Sequence, residues 1–175
     1  MRGFSAILFA LLLNGCTSKN NDYKNTATDI NNSIPLPAEV KGLNATDTLF
    51  IIDRESTLTD TVIDGEKYWK ANGDMFFKID REQFPVYIYT SLMKLEVMEP
   101  SAFRVTAYDR DQGQSVESLL GKIKISKNYP SPFPEPDTLH EKNLYMVNKS
   151  IDLSEKEDLD DEKLSNWWNN VITKQ

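Results

Sequence analysis

The chain has 175 residues, with 20 Lys and Arg against 27 Asp and Glu, a formal net charge of −7 at pH 7, one His and one Cys. That length suits one ordinary domain with tails. A single Cys excludes an internal disulfide or a thiolate zinc cluster, and a single His leaves no His-rich metal site and little basis for His-dependent catalysis. With a pI near 4.8 and no cluster of Lys and Arg, the chain is not built to hold a phosphate backbone, so nucleic acid is not an expected partner.

The N-terminus comes first. Arg2 precedes an almost unbroken apolar run from Phe4 to Leu13, followed at once by Asn14-Gly15-Cys16. The run is about half the ~20 residues that a bilayer-spanning helix needs, and it reads as the apolar stretch of an export signal. Leu13-Asn14-Gly15-Cys16 resembles the lipobox of bacterial lipoproteins, in which the Cys thiol receives a diacylglyceride before the chain is cut ahead of it. The resemblance implies a signal peptide over 1–15 and lipidation at Cys16. The competing reading is an ordinary secretory signal with an incidental Cys. A lipidated Cys16 makes the membrane a partner, since each buried CH2 contributes ~0.8 kcal/mol and two or more acyl chains hold stably. Thr17 resembles the residue that favours outer-membrane sorting in enterobacterial lipoproteins, so the expected location is the bacterial envelope, at the outer membrane. Residues 16–45 are rich in Asn, Thr, Ser and Asp and are interrupted by Pro35-Leu36-Pro37, which predicts a disordered tether.

From Asp47 the pattern changes to short runs of Ile, Val, Phe, Tyr and Thr between turn-forming clusters, the signature of strands. Strands are predicted over 48–53, 75–80, 84–90, 92–98, 102–108, 122–126 and 143–147. Several alternate with period two: Met93, Leu95 and Val97 oppose Lys94 and Glu96, and Phe103, Val105 and Ala107 oppose Arg104, Thr106 and Tyr108. The expected fold is mainly β, an antiparallel β-sandwich of about seven or eight strands over 46–150. Pro130, Pro132, Pro134 and Pro136 alternate in an extended crossing that reads as a stiff loop or as a ligand for a proline-binding module. In the last region, 151–175, Ser154-Glu155-Lys156-Glu157 fits a capping box, and Leu164, Trp167, Trp168, Val171 and Ile172 recur at helical spacing. An amphipathic helix from about 155 to 172 is predicted. Its Trp167 and Trp168 either pack on the sandwich or form a partner-binding face.

The most informative stretch runs from Phe103 to Ile125: a strand ending at Tyr108, Asp109-Arg110-Asp111, a polar segment carrying Glu117, then Leu119-Leu120-Gly121 and another strand. This stretch resembles the C2 domain, as does Gly73-Asp74-Met75-Phe76-Phe77-Lys78-Ile79 upstream. The resemblance implies an eight-stranded sandwich with calcium-binding loops at one end, and Asp74, Asp109, Asp111 and Glu117 as the calcium ligands. Met75 stands where the family has Pro, and the loop from Asp111 to Gly121 is longer than the family pattern by one residue. Calcium takes 6 to 8 oxygens, and extracellular modules work with dissociation constants of ~10⁻⁴ to 10⁻³ M. The bland alternative is a solvated turn in which the Asp side chains bond to nearby amides.

These features point to a non-catalytic envelope module, calcium-responsive or lapsed, that binds a protein or envelope ligand. The alternative is a structural or assembly lipoprotein that holds a protein partner without metal. A carboxylate hydrolase requires two acids facing each other across a cleft, a separation that spacing does not reveal. His140, in a polar, Pro-flanked segment, reads as a surface imidazole.

Overall fold

Strand positions in this chain follow from side-chain alternation. In the strand Met93–Val97 the residues Met93, Leu95 and Val97 are fully buried, while Lys94 and Glu96 between them are not. The computed structural model describes residues 39–63 and 65–159, all within the second of two compact units, Ile34–Gln175. The described residues form β1 (Glu39–Gly42), β2 (Thr48–Ile51), β3 (Thr57–Ile63), β4 (Glu66–Ile79), β5 (Val86–Tyr89), β6 (Met93–Val97), β7 (Ser101–Ala107), β8 (Gly113–Leu120), β9 (Ile123–Lys127), β10 (Asp137–Leu139), β11 (Asn143–Asn148) and β12 (Leu153–Asp158). The chain is mainly β, and no helix occurs among the described residues.

The strands join in one hydrogen-bonded path, β10-β9-β6-β5-β4-β7-β8-β11-β12, with β1, β2 and β3 attached beside it. Its pivot is β4. The first half of this 14-residue strand pairs with β3 and β5, and the second half with β2 and β7. Chain length explains why it must bend. The parallel register Trp69↔Ile88 and Lys70↔Tyr89 extends to put Val86 beside Lys67, about 40 Å from Ile79 along a straight strand, whereas the seven steps from Ile79 to Val86 reach at most about 25 Å. The bend falls at Gly73, whose φ of 118° belongs to glycine and whose added Cβ would lie 2.6 Å from the Ser56 Cα.

The inner faces enclose a core that includes Leu49, Trp69, Met75, Phe77, Ile88, Leu95, Phe103 and Ile123, with Phe77 stacked on Phe103 at 5.3 Å between centroids. The two ends of the path approach each other, because Lys156 on β12 reaches Asp137 on β10 at 2.8 Å. The sheet is therefore barrel-like and nearly closed around its core, where two separate stacked sheets were expected, and the β4–β5 pair is parallel. On the outer face of one half, Lys94 Nζ lies 5.0 to 5.7 Å from the rings of Tyr68, Tyr87 and Tyr89.

Two expectations are corrected. The capping-box residues Ser154 to Glu157 lie in β12, paired with β11 from Asn143↔Asp158 to Asn148↔Leu153. A four-residue hairpin loop from Lys149 to Asp152, with the Asp152 amide donating to the Lys149 carbonyl and Asp152 at φ 48°, directs the chain back along β11 and overrides the local helix signal. The rest of that predicted helix lies outside the described residues. Glu117, expected in a loop, sits inside β8. That strand was hidden because two of its inward residues, Gln114 and Ser118, are polar yet buried.

The other side of the sheet carries a second cluster. Phe50, Ile52, Phe76 and Ala102 are buried apart from the main core, with Leu119 and Leu159 packed against them. Phe50 lies between the core residues Leu49 and Ile51, and Phe76 between Met75 and Phe77, so alternation sends both rings outward. Their centroids are 5.6 Å apart.

Candidate functional site

Strand registry assembles the outer face of β2, β4, β7, β8, β11 and β12 row by row. One row reads Phe50, Phe76, Arg104, Glu117, Leu144, Glu157. The next reads Asp74, Thr106, Ser115, Met146, Glu155. Arg104 binds Asp74 with two parallel bonds, Nε to Oδ1 at 2.8 Å and Nη2 to Oδ2 at 2.7 Å, the fork geometry that makes Arg–carboxylate pairs strong. Its Nη1 lies 3.8 Å from Glu117 Oε1. Burial pushes the Glu117 carboxyl above its ordinary range, with Arg104 opposing and Asp74 adding to the rise. The Arg104 guanidinium is pushed up, first by its bond to Asp74.

Asp109 and Asp111 lie in the loop between β7 and β8, both exposed. The Asp109 amide donates to Asn72 Oδ1 at 2.9 Å, and Lys70 Nζ is 3.8 Å from its carboxylate. Arg110 lies over the Tyr108 ring at 5.0 Å and pairs with Glu55 at 3.4 Å. The Tyr108 hydroxyl donates to Asp53 Oδ2 at 2.5 Å. That bond is the first cause holding Asp53 below the usual carboxylate range, while burial and then the bond to Asp53 push Tyr108 up to about 12.

The four acids expected to ligate calcium are thus divided. Asp74 and Glu117 share one guanidinium on the sheet face, and Asp109 and Asp111 stand on a solvated loop among cations of their own. They do not form one cradle, and among the described residues no group of three or more His, Cys, Asp or Glu is placed to hold an ion. Asp53 escaped sequence reasoning because it reads as the end of the β2 run. His140 is exposed beside β10, its amide donating to Asn143 Oδ1 at 3.1 Å. Cys16, Trp167 and Trp168 lie outside the described residues.

Beyond the ion triad, the same face opens into a groove of about 390 Å³, walled by Thr106, Ser115, Met146, Ile151, Leu153 and Glu155. Ile151 is 67% exposed and Leu153 43% exposed. The Lys149 amide donates to the Gln112 carbonyl at 2.8 Å, which ties the β11–β12 hairpin to the Asp-bearing loop and fixes the end of the groove. The sequence signal for this site was slight: two apolar residues flanking Asp152 in an otherwise polar hairpin.

The fold and this outer face define the chain as a mainly β domain with an exposed apolar groove beside an Arg–carboxylate cluster. Two crystal structures, at 1.65 and 2.50 Å, of a candidate anti-sigma factor from Parabacteroides distasonis are similar to it in fold, each with a TM-score of 0.59 and 18% identity. The match covers 76% of this chain and 62% of the neighbour's, so this chain corresponds to less than two thirds of that protein's length. No protein-family model matches the chain, and no curated protein matches it.

Proposed function

We propose that the protein is a non-catalytic binding module of the bacterial envelope, held on the membrane through lipidated Cys16, that grips a protein partner in the groove over β8, β11 and β12. The observation that carries the reading is the convergence of Met146, Ile151 and Leu153 on one open groove. Single exposed apolar residues are ordinary on any surface, but exposed Ile151 and Leu153 lining one concavity with half-buried Met146 offer a site for an apolar anchor. Glu155 in the groove, Glu157 on the same edge strand and the net charge of −7 favour a partner segment that flanks its apolar anchor with Lys or Arg. The description of the fold neighbours as a candidate anti-sigma factor is in keeping with a protein partner.

The C2 likeness enters as that of a lapsed module. With Arg104 engaging Asp74 and Glu117, those two acids have a cationic partner within the fold, and the groove uses no acid of the Asp109–Asp111 loop. Addition of millimolar calcium is therefore expected to leave the melting temperature unchanged. A calcium-dependent rise that Asp109→Asn with Asp111→Asn abolishes would restore the metal-responsive reading.

Two experiments test the main proposal. Metabolic palmitate labelling should mark the wild-type protein and not Cys16→Ser, and the variant should leave the membrane fraction. A photo-crosslinking residue at position 151 or 153 in intact cells should yield one adduct of fixed stoichiometry, indifferent to chelator and absent when the probe sits at position 96. An unlabelled protein ends the anchor reading, and equal adducts from 96 and 151 end the groove reading.

A further inference from the structure

Among the described residues four strands have a strand neighbour on one side only: β1 beside β2, β3 beside β4, β10 beside β9 and β12 beside β11. An open edge presents a row of unpaired N–H and C=O groups, and proteins blunt such edges by keeping them short or charged. Three of the four are blunted. β1 and β10 are four and three residues long. β12 has four charged residues out of six, and its Lys156 stands opposite buried Tyr145, on the core side of an edge strand, where Asp137 holds it.

β3 has neither protection. It is seven residues long, five of them Thr, Val or Ile, and its one charged side chain is Asp60. Val62 is 68% exposed, and Thr57, Thr59 and Asp60 are exposed as well. Two residues join Ile63 to Glu66, so these two form the first hydrogen-bonded pair of the hairpin and the pairs alternate from there. Leu58, Asp60 and Val62 therefore turn their N–H and C=O groups away from β4. Another extended backbone is what satisfies such a row. We propose that β3 accepts a strand from a partner protein, an extended segment rich in β-branched residues that sets a Lys or Arg opposite Asp60. The Asp60 carboxylate already meets Lys67 at 2.9 Å, but both side chains are more than half exposed, so that pair is weak and a second cation can share the acid. A second copy of this chain fits less well. Full-length two-fold pairing of β3 with itself, 57 with 63 and 58 with 62, sets Asp60 against Asp60 of the other copy, and like charges directly opposite are destabilising. Two chains of net charge −7 also repel as they approach. β3 is a different edge from the groove over β8, β11 and β12, and the inference does not depend on the groove reading.

Hydrogen exchange on the mature full-length chain, carrying Cys16→Ser to omit the lipid, tests it with a synthetic heptapeptide, Thr-Val-Thr-Lys-Thr-Val-Thr blocked at both ends. In the protein alone the amides of Leu58, Asp60 and Val62 should exchange quickly, and millimolar peptide should slow them at least about tenfold while the amides of β12 do not respond. A control peptide with Pro at its third, fourth and fifth positions should slow nothing. Asp60→Pro removes the central outward amide without breaking a β3–β4 bond, so it should abolish the slowing while β6 and β9 keep their protection. Asp60→Lys keeps every amide and turns the charge against the probe, which should weaken binding at least about fivefold. Slow exchange at the three amides in the protein alone overturns the proposal, as does equal slowing by the control peptide or at β12, or slowing that survives either variant. Slowing that rises with protein concentration in the absence of peptide overturns it in favour of a second copy.

Discussion

Replacing Asp47 removes the buried charge that ties the start of the domain to its central strand. The Asp47 side chain is fully buried in the turn between β1 and β2. Its carboxylate accepts from Asn44 Nδ2 at 2.7 Å, the Asp80 amide at 2.9 Å and Arg81 Nε at 2.6 Å, with Arg81 Nη2 in further contact. Arg81 in turn lies over the Trp69 ring at 5.0 Å. Asp47→Ala strands an amide and a guanidinium. Breaking a buried pair costs about 3–5 kcal/mol, and because the Arg81 side chain is 27% exposed and can rehydrate, the lower end applies, about 3 kcal/mol. For a domain of this size that is a fall of about 12 °C in melting temperature. Arg81→Met keeps the packing on Trp69 and leaves the carboxylate its other donors, so about 2 kcal/mol is expected. Urea titrations at 0.15 M and 1 M NaCl should give the same losses, since a buried pair is little screened. Losses under about 1 kcal/mol, or losses that vanish in high salt, would refute the reasoning.

The remaining predictions concern acid groups and the bend in β4. Glu117 has its pKa raised in the fold by burial, so between the ordinary and raised values the native state binds more protons than the unfolded chain. Its contribution is present at low pH and lost as pH rises through the raised value. Glu117→Gln should therefore be at least as stable as wild type at pH 7 and lose that advantage near pH 4 in thermal melts. Asp152 has the opposite sign: its bond to Lys127 first, then others, hold it below the usual range, so its contribution is present above the ordinary carboxylate pKa and lost as pH falls through the lowered one. Asp152→Asn should flatten the acid limb of the stability profile. Gly73→Ala should cost about 3 kcal/mol or more, combining positive φ with collision against Ser56. Gly65→Ala, with φ 84° and nothing within 4 Å, should cost about 1 kcal/mol in urea denaturation.

Strands with clean alternation were legible in the sequence. Residues 92–98 and 102–108 fold as β6 and β7 with the expected residues inward, because apolar burial and local propensity agree there. Elements whose inward positions are polar were not legible: Gln114 and Ser118 in β8 are buried without an apolar signal, and Gln114 is held by its bonds to Thr90 and Ser91. The parallel β4–β5 pair depends on a bend at one glycine and carries no periodic mark. At the candidate site, Asp74 and Glu117 were singled out as acids, but the partner that decides their chemistry, Arg104, was read only as an outward strand residue. Spacing along the chain reveals which residues are acidic. Cross-strand registry decides what neutralises them.

Because β4 runs through both halves of the barrel, with residues 66–72 pairing with β3 and β5 and residues 73–79 with β2 and β7, opening one half leaves a free strand end at the edge of the other. The β4 amides between Tyr68 and Phe77 should be the last to fall to solvent.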